Sequence, residues 1–257
     1  MRHYWMHAGA TLFLSILSSP FQLQAQAVDT VRVGSRSLLG SRPELGTSRV
    51  EGFVRVDGSE TLTSVTTQRV TAGLWGEGEV VVIETVHVGE EGDTTNSAAV
   101  VRAADFSLLH HRVKAERDSA AVSTTAGSLT GWVVLPDEPV TLLDLPLSMG
   151  VFPVAGQVPW LFPLLPLSEG YAAAISHFSQ WEGVEEWSTI RVLGSERIES
   201  SGVARDCWRI DGGELFPGFR ITYWVDKENR RILLGVASGE GSGPEYLARL
   251  VRFDPAI

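Results

Sequence analysis

The chain has a single cysteine, Cys207, in 257 residues. An intramolecular disulfide is therefore excluded in any compartment. With no second thiol and no catalytic Cys signature around it, Cys207 reads as a small buried hydrophobe. Histidine is also sparse. Six are present, and His3 and His7 fall within the first 27 residues. His110 and His111 are adjacent, so on a strand they point to opposite faces and do not share a metal ion. The chain has no H-E-x-x-H, no G-x-S-x-G, no phosphate-binding loop and no G-x-G-x-x-G after a strand. The residues thus imply no cofactor, no metal and no catalytic group. Basic clusters are missing too. With a net charge of −10, nucleic acid and anionic lipid surfaces are poor partners. No apolar run is long enough to cross a bilayer as a helix.

What is present begins at the N-terminus. Arg2 precedes a small and apolar run from Ala8 through Leu12, Phe13, Leu14, Ile16 and Leu17. Pro20 breaks the run, and Ala25-Gln26-Ala27 closes the segment. This is the pattern of a secretory signal peptide over residues 1–27, with the mature chain starting at Val28. Cleavage leaves about 230 residues with a net charge of about −11, enough for one large β domain or two small ones. The expected location is exported: the periplasm, or outside the cell.

Residues 28–48 are rich in Gly, Ser and Arg and read as an irregular lead-in. From Arg49 onward, residues 49–257 read as one β domain of short strands between turns. Phe53–Val56 runs into Asp57-Gly58, a strong hairpin signal. Strands are predicted at 61–71, 80–88, 98–103, 107–114, 120–124 and 129–135. After a central segment they resume at 187–193, 196–200, 206–210, 219–225 and 231–237. Gly194-Ser195, Ser201-Gly202 and Asp211-Gly212-Gly213 are read as turns between them. Over Phe219–Val225 the odd residues Phe219, Ile221, Tyr223 and Val225 share one face. The enrichment in Val and Thr and the short sequential connections predict an all-β, antiparallel meander.

Residues 140–183 break the rhythm. Leu142, Leu143, Leu145, Leu147, Val151, Phe152, Trp160, Leu161, Phe162 and Leu165 are interrupted by Pro146, Pro153, Pro159, Pro163 and Pro166. The prolines exclude one long helix or a central strand. Short helices and loops laid over a sheet are expected, with Leu142, Leu143 and Leu147 on one face of a short helix.

The order of segments resembles the exported proteins grouped as the DUF3108 family, which look related to LolA/LolB-like lipoprotein carriers. The resemblance is carried by Leu165–Tyr171, Val192–Glu196, Ser201-Gly202, Cys207–Ile210, Tyr223–Lys227 and Arg231–Leu234. Asp105–Leu109 and Gly131-Trp132 occupy matching places upstream. It implies a curved, incompletely closed, barrel-like sheet around a hydrophobic concavity, with a short helix or loop lid at about 140–170. It supplies no activity and no catalytic residues.

Two readings of the apolar segment follow. Either residues 142–165 plug an ordinary core, or Trp132, Phe152, Trp160, Phe162 and Tyr171 line a pocket for an apolar ligand such as an acyl chain. The expected function is an exported, non-catalytic binding or carrier protein for an apolar small molecule, lipid or lipoprotein. One alternative is an envelope assembly module with an apolar docking patch. The other is an envelope glycan or lipid hydrolase using an acidic pair such as Glu185/Glu186 or Glu196/Glu199, which requires carboxylates converging in the concavity.

Overall fold

The computed structural model of the chain describes residues 28–38, 42–125, 127–147, 150–152, 155–179, 184–216, 218–239 and 243–256. The expected signal segment, 1–27, lies outside the described residues.

The chain forms one fifteen-stranded sheet that does not close on itself. The first meander runs β2 (Gly46–Val56), β3 (Ser59–Trp75), β4 (Gly78–Gly89), β5 (Thr94–Arg102), β6 (Leu108–Lys114), β7 (Ser119–Thr125), β8 (Ser128–Val134) and β9 (Thr141–Pro146). The second runs β10 (Ala172–Ser179), β11 (Val184–Ser200), β12 (Val203–Phe216), β13 (Phe219–Asp226), β14 (Ile232–Gly239) and β15 (Glu245–Pro255). The two are stitched into one sheet by antiparallel pairing of β15 with β2. A short β1 (Asp29–Val31) pairs parallel to β10 at one edge, and β9 is the other edge. This is the all-β, incompletely closed architecture expected from the sequence.

Local chemistry accounts for the hairpins. Asp57 and Gly58 have φ of 49° and 80°, as do Ser201 and Gly202 at 50° and 74°. Positive φ at both central residues defines the tight hairpin turn whose twist matches the strands it joins. The two other glycine signals do something different. Gly194 lies inside β11, and Asp211-Gly212-Gly213 lies inside β12. The register shifts at both places, so these are β-bulges rather than turns. An extra residue on one strand bends it and increases its twist, which curls a long sheet.

Three further differences have physical reasons. Asp29–Val31, in the lead-in expected to be irregular, forms β1 because β10 offers an open edge. Leu142 and Leu143, expected on one helix face, lie on β9 and alternate, with Leu142 80% exposed and Leu143 packed against the core. Pro146 ends that edge strand, where a missing N–H breaks no ladder. β10 and β15 were not foreseen as strands.

The strand order sets the role of the central segment. β9 and β10 are consecutive in sequence yet sit at opposite ends of the sheet. The chain between them must cross the whole width, and it crosses through the inside. Its passage is marked by Leu108 N donating to Val151 O at 2.8 Å and Val192 N donating to Tyr171 O at 2.8 Å. In between, Ala155–Leu164 winds as a 3-10 segment. Val151, Phe152, Val158, Leu161, Phe162, Leu164 and Leu165 are all buried in one core cluster with Ile83, Val101, Ile175, Ile190 and Ile210. Each such side chain contributes roughly 1.5–3 kcal/mol on leaving water. The prolines suit this path because an inner crossover has no ladder to break.

Candidate functional site

The inner segment fills only part of the concavity. Between it and the sheet lies a cavity of about 380 Å³, walled by Pro159, Trp160, Pro163 and Leu164 on one side and by Ile221, Tyr223, Gly235 and Ala248 on the other. A second cavity of about 560 Å³ continues from it over β2, β3, β4, β13, β14 and β15. Val50, Ile221, Gly235 and Ala248 border both, so the two are halves of one groove. Along β2 the lining runs from Gly46 to Phe53, about 23 Å at strand rise. The first half is roofed by the 3-10 segment and the second half is open.

Small residues make the space. A Cβ on Gly212 would stand 2.6 Å from Tyr223 Cε2, and one on Gly235 would stand 3.4 Å from the same ring. These glycines give room to Tyr223, whose ring meets Phe162 edge-on at 5.1 Å between centroids. Burial pushes the Tyr223 hydroxyl well above the usual phenol range. A Cβ on Gly52 would collide with Ser64 Oγ, so the floor of the open half is flat there.

The charged groups cluster at the roofed end. Arg230, at φ 60°, donates from Nε to Pro163 O at 2.9 Å and from its terminal nitrogen to Leu165 O. Arg231 forms a two-pronged ion pair with Glu44 and stacks 3.8 Å over the Phe253 ring. The Glu44 hydrogen bond raises the Arg231 pKa, while burial lowers that of Arg230. Glu44 is the only carboxylate among the described residues lining the groove.

The five residues expected to line a pocket are distributed as follows. Phe152 and Phe162 are fully packed core residues. Trp160 is half-buried, meets Phe106 edge-on at 5.5 Å and lines the groove. Tyr171 is half-buried and donates its hydroxyl to Asp29 Oδ2 at 3.0 Å. Burial first, and then this hydrogen bond, raise its pKa. Trp132 stands apart, 38% exposed on the outer face of β8 opposite Leu142. The structure thus gathers four of the five around one core and brings one, Trp160, to the groove. The remaining lining comes from residues not singled out in the sequence, notably Val50, Thr66, His87, Ile221, Tyr223, Gly235 and Ala248. The period-two face of β13 was the one available signal for them.

The acidic pairs do not converge. Glu185 accepts from Ser176 Oγ at 2.5 Å, and the neighbouring Glu186 faces His177 at 3.4 Å on the other side of the strand. Glu196 pairs with Arg209 at 3.3 Å. None of these carboxylates lines the groove. Among the described residues no group of three or more His, Cys, Asp or Glu is placed to hold a metal ion. No helix of the described residues is long and apolar enough to cross a membrane.

No protein-family model matches the chain, and no curated protein matches it. Among solved structures the chain is similar to a β-barrel-like protein of the DUF1849 domain from Brucella abortus. That likeness has 11% identity, covers 84% of this chain and 100% of that one, and has a TM-score of 0.48. It is also similar to a protein described as exported, with a YmcC-like fold, from Bacteroides fragilis (11% identity, 83% and 97% covered, TM-score 0.34). A third is a domain described as an outer membrane lipoprotein-sorting protein from Vibrio parahaemolyticus (10% identity, 82% and 85% covered, TM-score 0.25). At these scores the likeness carries nothing about chemistry.

Proposed function

We propose that this is an exported, non-catalytic binding or carrier protein whose concave groove takes lipid-like cargo, an acyl chain either free or attached to a lipoprotein. The observation that supports it is the open half of the groove. It is a cavity of about 560 Å³ walled by Val50, Phe53, Phe219, Ile221, Ala237 and Leu247, with no charged side chain in its lining. Its size falls in the range of small-ligand sites, which are mostly apolar with a few placed polar groups. Export is supported by the signal-like residues 1–27, and the periplasm is the expected compartment. The DUF3108-like order of strands and turns agrees with a carrier, as a reading of the sequence pattern.

Native mass spectrometry of the exported protein, gently purified, tests this directly. A bound mass released as a lipid or acyl chain supports the proposal. Ala248 borders both halves of the groove and is exposed within it, so Ala248→Trp fills the space without touching the core. That variant is expected to lose binding of an apolar fluorescent probe with an unchanged β spectrum. A wild-type protein that binds neither lipid nor probe would overturn the proposal.

A second reading, an envelope assembly module, is favoured by one observation. Trp132 and Leu142 are paired across β8 and β9 and are 38% and 80% exposed, an apolar patch at the sheet edge. It predicts a stable complex with another envelope protein that Leu142→Glu abolishes.

A further inference from the structure

We propose that His87 is the polar anchor of the open half-groove and takes the carbonyl oxygen of an acyl group. This rests on the groove being the ligand site.

The residue lies near the end of a valine-rich strand, Val80-Val81-Val82-Ile83-Glu84-Thr85-Val86-His87-Val88. Val81 and Ile83 point into the core, so His87 points to the same concave side by the period of two. The register of β3 against β4 sets Thr66 directly opposite it. Thr66 Oγ1 lies 2.9 Å from His87 Nδ1. The direction of this contact depends on the ring tautomer; the tautomer that the proposal uses has the Thr66 hydroxyl donating to Nδ1, which places the ring N–H on Nε2. Among the described residues Nε2 has no hydrogen-bond partner.

Of the other polar residues of this half-groove, Tyr246 meets Phe219 edge-on at 5.7 Å, and Thr63 and Ser64 are turned to the floor. Thr63 Oγ1 donates to Gly52 O at 3.4 Å, and Ser64 Oγ sits where a Cβ on Gly52 would be. No Lys, Arg, Asp or Glu lines it. The one ring N–H offered to a ligand therefore faces apolar walls, where an unmatched donor is costly and a matched one is selective. A donor without a counter-charge suits a carbonyl or carboxylate oxygen at the head of a chain. The chain then runs past Val50, Gly235 and Ala248 toward Trp160. A hydrogen bond from this ring N–H reads a carbonyl oxygen, which an ester and a free acid share.

The test uses the exported full chain as wild type, His87→Phe and Thr66→Val, with three probes. These are palmitic acid, methyl palmitate and N-phenyl-1-naphthylamine, which is uncharged and has no carbonyl. Far-UV circular dichroism checks folding. In His87→Phe the acyl probes are expected to bind about tenfold more weakly while the naphthylamine changes by less than about twofold. Thr66→Val is expected to shift the acyl probes in the same direction by less, because it frees Nδ1 without removing the ring. Loss confined to the acid assigns a free fatty acid as the natural source, and loss confined to the ester assigns an esterified chain. An equal loss for all three probes, or no loss for either acyl probe, overturns the anchor while the groove stands. A wild-type protein that binds none of the three overturns the groove itself.

Discussion

The Arg230 guanidinium reaches back sixty-seven residues along the chain to an uncharged partner: its Nε donates to the main-chain carbonyl of Pro163 at 2.9 Å. A second N–H of the same group goes to Leu165 O. One side chain in the β13–β14 turn thus ties the end of the inner segment to the sheet. Arg230→Met keeps the stem, leaves Pro163 O unmatched and removes one of the two donors to Leu165 O, which still accepts from Leu167 N. It is expected to lower stability by about 2 kcal/mol, with faster hydrogen exchange across 158–167 than across β11–β13. Uniform exchange in both regions would show that the tie is not local.

Gly212 has no room for a methyl group. The added Cβ would lie 2.6 Å from Tyr223 Cε2 and 2.9 Å from Ile221 Cγ2, and both residues line the groove. Gly212→Ala is expected to destabilise by about 1–3 kcal/mol in chemical denaturation and to weaken probe binding at the roofed half, as Tyr223 is pushed toward the cavity. Wild-type stability with wild-type binding would contradict that packing.

Glu60 sits between two arginines. Hydrogen bonds from Arg249 and then Arg55 hold its carboxyl down, from an ordinary 4.5 to about 2. A carboxylate whose folded pKa is depressed stabilises the fold fully above its unfolded pKa and loses that contribution as pH falls through the folded one. The window is therefore from about pH 4.5 down to about 2. Glu60→Gln is expected to flatten the fall of Tm with acidity in that window. The difference from wild type should shrink at high salt because the cluster is at the surface. Melting curves of both proteins across this range check it.

Cys207 is buried on β12 with no exposed surface. Burial, and then the nearby Asp226 and Asp206 carboxylates, push its thiol up to about 11. Thiolate is the reactive form, so a thiol reagent is expected to leave the folded protein untouched at neutral pH and to react with one group on unfolding. Fast labelling of the native protein would place the residue elsewhere.

The fold was legible where chemistry is local. Asp57-Gly58 and Ser201-Gly202 name their turns through the φ angles they permit. Gly194 and Asp211-Gly212-Gly213 misled because a bulge and a turn use the same residues, and only the register across to the partner strand separates them. Ala172–Ser179 hid as a strand because it is covered on both faces and shows no alternation, as the run of buried residues there reflects. In the central segment the apolar content was readable but its path was not, since that depends on which strands end up at the sheet edges. The groove was least legible. Val50, His87, Ile221 and Ala248 meet through pairings between distant strands, and nothing near any of them in sequence announces the meeting.

The pairing of β15 with β2 joins Glu245 to Arg55 and Pro255 to Gly46, across about 190–210 residues of chain. Contacts of that separation carry the largest loop-closure entropy and form late, whereas each meander can assemble from near neighbours. The two halves can therefore curl before they are zipped together, and the last zip is also the floor of the groove. A chain delivered as an unfolded polymer would complete this groove only when β15 has paired with β2. Until then the edges of β2 and β15 are open templates for other strands. Removing β15 would thus leave two competent half-sheets, each exposing a sticky edge, rather than a weaker version of the same protein.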